Sequence, residues 1–406
     1  MDEPVILQPN SPAPEPEPKP KQKTKKKRRI SKFLLRVIAL AVVLVVALAL
    51  VLVVVFRDRL NMDSIKRWFH YRSLTISDNG RAESFAYDGD LSCTFAALDD
   101  DLLVCSGNAI SLYSGSGTRY IHEQVNMENP VVNNNGTLAV VYDAGGSSLY
   151  VLGQRALVWS AEDLEGILSA RLNKNGQLTV VTQASGYRGM VTVYDAAYNP
   201  VMSVSLTSAF VMDAALSDDG RTLATLTVGQ KDGAFVTGLE LYAMDYSSGG
   251  YQADVSCSLG GGVVLELRHT ASAVWALSDR GLTVTDHAGQ TAWVDWSNKY
   301  LRRYTLSGDG FAVALLGRYR AGSQAELWVV DAQGGRKTLE LNEQVMSIAA
   351  AGRYIAVLTG DRLDIYNDEL VLYSSLKGTQ GARAVLLMTD GSAILVSADS
   401  AGFYVP

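Results

Sequence analysis

The chain has 406 residues, with 36 Lys and Arg against 42 Asp and Glu and a formal net charge of −6. Ten of the bases lie in residues 1–56 beside four acids, so the remainder holds 26 basic and 38 acidic residues and a net charge of −12. That balance argues against nucleic acid as a partner, because phosphate neutralisation by Lys and Arg dominates such affinity. Three cysteines, Cys93, Cys105 and Cys257, are too few for a disulfide framework. They read as small buried hydrophobes; Cys93 and Cys105 fall on neighbouring strands, which leaves a bridge between those two open.

Residues 1–32 form the first segment. Its first twenty hold seven of the ten prolines and almost no apolar side chains after Leu7, so it cannot bury enough surface to offset its ordering entropy and is predicted to be a disordered cytoplasmic arm. The run KQKTKKKRRISK follows, a positive-inside signal that is also compatible with gathering anionic lipid. Val37–Phe56 contains no polar side chain; at roughly 1.5 Å per residue it makes a helix about 30 Å long, the thickness of a bilayer core. Phe56-Arg57-Asp58-Arg59 follows it where a signal peptide would carry small residues for cleavage. The reading is an uncleaved transmembrane helix over 33–56, with the lipid bilayer as its partner, the N-terminus cytoplasmic and the C-terminal domain extracytoplasmic.

Residues 57–72 read as a juxtamembrane amphipathic neck. Asn61 caps a short helix in which Ile65, Trp68 and Phe69 share one face. That face suits a membrane interface, or it packs on the domain that follows; the sequence leaves both readings standing.

Residues 73–406 carry short runs rich in Val, Leu, Tyr and Thr, punctuated by Gly, Asn, Asp and Ser, with no long helical pattern. A polar turn ending in Gly recurs before an apolar strand: Asn133-Asn134-Asn135-Gly136, Asn173-Lys174-Asn175-Gly176, Ser217-Asp218-Asp219-Gly220, Ser307-Gly308-Asp309-Gly310 and Thr389-Asp390-Gly391. Asx side chains close such turns and Gly accepts their positive φ. An alternating strand ending on Tyr or Asp also recurs, as in VTVYD (191–195), LTVTD (282–286) and LWVVD (327–331). Units start near Cys93, Val131, Ser169, Val211, Val264, Arg303, Met346 and Ala384, a spacing close to the roughly 40-residue blade of a four-stranded propeller. The fold class predicted is all-β, an eight-bladed β-propeller. Its last unit ends after three strands, and Arg81–Tyr87, unpaired ahead of the first blade, is predicted to close the ring as the missing fourth.

On LWVVD, VTVYD and the S-x-D-G turns the chain resembles WD40-like and quinoprotein-like propellers. With the basic arm, the single span and the Ile65–Phe69 neck, it resembles a family of single-pass, membrane-anchored propellers of Gram-positive bacteria described only as a domain of unknown function. The resemblance implies an architecture and no catalytic residues. The GH and WD dipeptides of WD40 repeats and the Trp-docking motif of quinoproteins are missing here, so no quinone cofactor is implied.

No catalytic or metal motif emerges. His70, His122, His269 and His287 are scattered and lack zinc-site spacing. Asp99-Asp100-Asp101 lacks the Gly and distal Glu of a calcium loop and reads as a solvated turn. Gly260-Gly261-Gly262 precedes a strand where a phosphate cradle would open a helix. No G-x-S-x-G elbow occurs, and the sequon Asn135-Gly136-Thr137 is accounted for by its turn. No cofactor and no metal is expected.

What remains is a surface. The resemblance implies that loops between second and third strands share a face with the inter-blade links. The long ones supply Tyr187, Arg188, Lys231, Asp232, Arg318, Tyr319 and Arg320, and the links add Trp296, Lys299 and Tyr300; Tyr, Trp and Arg are the side chains that anchor interfaces. Unselected loop drift is the competing account. The function expected is a non-catalytic binding or scaffolding module recognising an envelope protein or glycan. The alternative is a hydrolase of an envelope polymer using Asp213 and Glu266 at the central channel.

Overall fold

The computed structural model describes residues 63, 66–67, 70–72, 74–90, 92–244, 253–260 and 262–406. The expected arm and span, together with Ile65, Trp68 and Phe69, lie outside these residues. Among the described residues no helix is long and apolar enough to cross a membrane. The chain divides into two units, Met1–Asn61 and Met62–Pro406, and every described strand belongs to the second.

Thirty-two strands among the described residues form eight four-stranded sheets, seven of them meanders of consecutive strands. Their innermost strands are Thr94–Leu98, Pro130–Asn134, Ile167–Leu172, Phe210–Leu216, Val264–His269, Tyr300–Thr305, Val345–Ala351 and Ala384–Leu387, which begin blades 1 to 8 within a few residues of the starts read from the repeat. The protein is an eight-bladed β-propeller. Second and third strands are buried on both faces, as in Leu138–Asp143 and Leu149–Gly153, because each blade is covered by the next. The contact between blades 5 and 6 shows the filling, with Trp275, Leu282, Trp296, Leu306 and Trp328 in one core. Outer strands alternate, as in Thr291–Asp295, since one of their faces meets water.

Turns between first and second strands gather on one side of the ring, the turn face, and are bonded to one another. Asp99 N donates to Gly136 O at 2.7 Å, Asn135 Nδ2 to Asn173 O at 2.7 Å, Asn173 Nδ2 to Ser217 O at 2.9 Å and Asp309 N to Gly352 O at 2.8 Å. These bonds explain the Asn- and Ser-rich turns better than local closure alone. They also occupy the Asn135 amide of the sequon.

The described neck residues complete that belt across the last blades. Asp63, Lys66, Arg67 and His70 are helical. Arg67, only 4% exposed, donates to Asp390 O of blade 8 and, at 2.6 Å, to Tyr373 Oη of blade 7. Tyr71 Oη sits 2.8 Å from Ser392 Oγ and donates to Asp100 of blade 1 at 3.2 Å. Tyr354 Oη donates to Asp63 at 2.9 Å. These residues pack on the propeller.

The fourth strand of blade 8 is Phe85–Ala86, antiparallel to Ser400–Tyr404. It is shorter than the Arg81–Tyr87 stretch read from sequence. Arg81 bridges Tyr404 while Phe85 pairs with Ala401; four steps on one side face three on the other, and that irregularity breaks the ladder.

Several expectations need correction. Lys231 is not on a loop: strands Thr222–Lys231 and Ala234–Ala243 form a long hairpin arm, whose tip is Asp232-Gly233 with φ of 53° and 79°, the doubly positive turn that Asp-Gly favours. Trp296 is wholly buried in the core between blades 5 and 6 and is no surface residue. Asp99-Asp100-Asp101 is a solvated turn only in part: Asp99 is exposed and turns with Asp100, which holds His70 at 2.6 Å, but Asp101 opens a strand, is 3% exposed and takes a forked pair from Arg155 at 2.7 and 3.1 Å. All three cysteines are free, and burial pushes the Cys105 thiol up to about 12.

Candidate binding site at the channel mouth

On the side opposite the turn face, inter-blade links and the loops joining second to third strands meet. Between blades 5, 6 and 7 they enclose an open cavity of about 860 Å³. Its floor comes from innermost strands, with Leu265, Arg303, Tyr304 and Val345, and its rim from Asp279-Arg280, Ser297, Lys299, Tyr300, Arg320–Gly322 and Gln344. Because innermost strands line a propeller's central channel, the cavity sits at the channel mouth.

Local structure fixes the rim. Trp296, locked in the core, has its backbone N–H bonded to Arg280 O at 2.9 Å, and its own carbonyl accepts Lys299 N at 2.9 Å; one buried residue thus positions two basic ones. Arg302 donates to Gly322 O at 2.6 Å and Tyr319 O at 2.8 Å, pinning the 318–322 loop over the cavity. Gly317 makes room for it, since a Cβ there would strike the Arg302 guanidinium.

Five cations line the cavity, Arg280, Lys299, Arg302, Arg303 and Arg320, against one carboxylate, Asp279. Lys299 is paired with Glu326 at 2.5 Å, and Glu326, which also accepts from Trp328 Nε1 at 2.9 Å, is held below the usual carboxylate range first by Lys299 and then by that indole. Arg280, Arg303 and Arg320 have no side-chain partner among the described residues. The wall therefore presents a concentrated positive field in an acidic domain.

Below the mouth, Tyr304 lies within electrostatic reach of Glu266 and Arg171. Arg171 grips Asp213, and burial raises the Glu266 carboxyl against the opposing pull of Arg171 and Arg268. The two carboxylates proposed for catalysis thus do share one neighbourhood, but a guanidinium occupies Asp213.

Among the residues singled out from sequence, Lys299, Tyr300 and Arg320 meet in the cavity, with Tyr319 and Arg318 exposed on the adjoining loop. Tyr187, Arg188 and Asp232 belong instead to blades 3 and 4. There Arg188 lies 4.6 Å over the ring of Phe210, and Tyr187, Phe210 and Phe235 are 52%, 52% and 78% exposed. Lys231 is the last residue of the hairpin's first strand. Sequence reasoning missed Arg280, inside an ordinary-looking Ser-Asp-Arg-Gly turn, and Arg303; the Arg302-Arg303 doublet in a strand was the signal available. It also missed that His269 and His287 meet, Nε2 to Nε2 at 3.0 Å. Among the described residues no group of three or more His, Cys, Asp or Glu is placed to hold a metal ion.

Residues 74–400 match the model of DUF5711, a family of unknown function. The chain belongs to that family. Comparison with curated proteins finds no match. Among solved structures, this DUF5711 propeller is similar to the C-terminal WD40 domain of Sif2, at 13% identity over 82% of this chain and 99% of that one, with a TM-score of 0.55. It also aligns with BamB from Moraxella catarrhalis, at 16% identity over 82% and 100% of the two chains and a TM-score of 0.48. At such identities the likeness to Sif2 shows the propeller fold of the DUF5711 chain and nothing of its ligand.

Proposed function

We propose that this protein is a membrane-anchored, extracytoplasmic propeller acting as a non-catalytic binding or scaffolding module in the cell envelope, with the face bearing the cavity as its recognition surface. The observation that carries the reading is the channel-mouth cavity, where four loops and links from three blades converge around exposed Tyr300 and unpaired guanidiniums. The apolar stretch of residues 37–56 and the basic run before it support the anchor. Pairing of Phe85–Ala86 with the last strand supports ring closure by the N-terminal segment. The described neck contacts the turn face, so the cavity face is free of them.

The hydrolase alternative draws on Glu266, whose raised carboxyl suits a general acid. The partner base proposed for it, Asp213, is not free, because both of its oxygens accept from Arg171. Two experiments test the proposal. Protease protection of the full chain in membrane vesicles should leave the propeller digestible only from the extracytoplasmic side. Residues 62–406 should sediment with isolated cell envelopes, and Tyr300→Ala with Tyr319→Ala should reduce that retention; equal retention of the double variant would sink the assignment of this face.

A further inference from the structure

We propose that the channel-mouth cavity takes a polyanion, seating its phosphate or carboxylate groups against Arg280, Arg303 and Arg320. The inference deepens the binding-module reading and rests on it.

In a domain with a large excess of acids an arginine can readily find a carboxylate, and several here do, while Arg81, Arg188 and Arg268 give their guanidiniums to backbone carbonyls. Arg119, Arg155, Arg171, Arg353 and Arg362 each meet a carboxylate within 4 Å. Arg280, Arg303 and Arg320 have neither kind of partner among the described residues, and all three line one cavity. Like charges held together repel, so the arrangement carries a cost that an incoming anion relieves. The other two cations explain how it is maintained: Arg302 fastens the loop that carries Arg320, and Lys299 is neutralised by Glu326.

The chemistry of the ligand follows from the donors. Guanidinium is permanently charged and presents a planar fork that matches the paired oxygens of phosphate and carboxylate. A concave wall of one sign focuses the field and draws such ligands in. The three forks come from separate pieces of backbone, a turn of blade 5, the innermost strand of blade 6 and the long loop of blade 6, so they suit several anionic groups better than one. A cavity of about 860 Å³ is far larger than a single phosphate and opens at the surface. Leu265 and Tyr300, 44% and 47% exposed, offer an apolar bed for the carbon skeleton between charges. The ligand class is therefore a chain with repeated oxyanions.

Calorimetric titration of residues 62–406 tests this with five probes: inorganic phosphate, linear polyphosphate, poly-glutamate, neutral dextran and phosphatidylglycerol vesicles. At least one polymeric anion should bind at low salt and weaken as salt rises, with inorganic phosphate much weaker and dextran inert. Each of Arg280→Gln, Arg303→Gln and Arg320→Gln should lower affinity about tenfold with an unchanged thermal melt. Arg221→Gln, in a turn on the opposite face, should leave affinity unchanged. The proposal is overturned if neither polymer binds, if the triple variant binds like the wild type, or if dextran binds equally well. Binding to vesicles and to no soluble polymer overturns it too, by assigning the anions to lipid headgroups. The envelope experiment separates the two readings: a triple Arg→Gln variant that still sediments with envelopes removes the polyanion and leaves the binding module standing.

Discussion

Arg171 Nη2 lies 2.7 Å from Asp213 Oδ2, and Arg171 Nε reaches both oxygens of the same carboxylate at 2.8 and 2.9 Å. This fork ties the innermost strands of blades 3 and 4 together. Burial pulls the Arg171 pKa down, yet the net shift is upward because Asp213 outweighs it. Asp213 thus stands as a counter-charge to Arg171, with both of its oxygens engaged. Removing one partner of a partly buried pair strands the other charge. Asp213→Asn should therefore cost about 3 kcal/mol, read by urea denaturation of residues 62–406. The double change Arg171→Met with Asp213→Leu should cost less than the single one. A single-variant loss below about 0.5 kcal/mol, the range of ordinary surface changes, would mean that water screens the pair.

The neck offers a second measurement. Tyr71 is 3% exposed and its hydroxyl touches Ser392 and Asp100, so Tyr71→Phe should lower stability by about 1–2 kcal/mol through the bonds alone. Arg67→Ala should cost more, since it also empties the space beside Tyr373. Melts that match the wild type would show that the neck rests on the ring without fastening it.

Acid stability should depend on His269. Burial is the main cause that lowers its pKa from 6.5 to about 4, helped by His287 and opposed by the Ala215 carbonyl and Asp219. An unfolded histidine takes up its proton near 6.5 while the folded one stays neutral, so this contribution is complete above pH 6.5. It is lost as pH falls toward 4, by up to about 3 kcal/mol. Glu266 acts with the opposite sign: its raised folded pKa gives stability at low pH that is lost as pH rises through the shifted value. Denaturation between pH 4 and 7 should show a shallower acid limb for His269→Gln than for the wild type. An unchanged limb would place the acid sensitivity in other groups.

The repeat made the ring legible because propeller blades are periodic in the chain: each Asn/Ser/Asp-Gly turn and each strand ending on Tyr or Asp marks one unit. What fills the space between blades is not periodic, which is why Trp296 looked like an exposed link residue. A link next to a Pro-free, polar stretch carries no sign that its first side chain turns inward. The cavity was half visible. Lys299 and Arg320 lie on a link and a loop, the places where binding residues concentrate, and Tyr300 opens the strand after that link, but Arg280 comes from a tight turn and Arg303 from inside the strand. Likewise His269 and His287 are eighteen positions apart and meet because the first and third strands of blade 5 both end on the turn face, Val264–His269 at His269 and Gly281–Asp286 just before His287.

Truncation tests ring closure and neck together. Phe85 and Tyr87 are buried in the core shared by blades 8 and 1, and Tyr87 Oη donates to Ser397 O at 2.8 Å and Ala398 O at 3.1 Å. A chain beginning at residue 62 keeps all of these contacts and should melt cooperatively. One beginning at residue 73 loses Arg67 and Tyr71, so it should melt at a lower temperature while remaining monomeric. One beginning at residue 91 also loses the strand that covers Ser400–Tyr404, exposing an unpaired edge beside an opened hydrophobic seam, and should aggregate. Light scattering and thermal melts of the three chains read the series. A monomeric chain from residue 91 that melts with the chain from residue 73 would mean that Phe85–Ala86 pairs with the last blade without holding the ring shut.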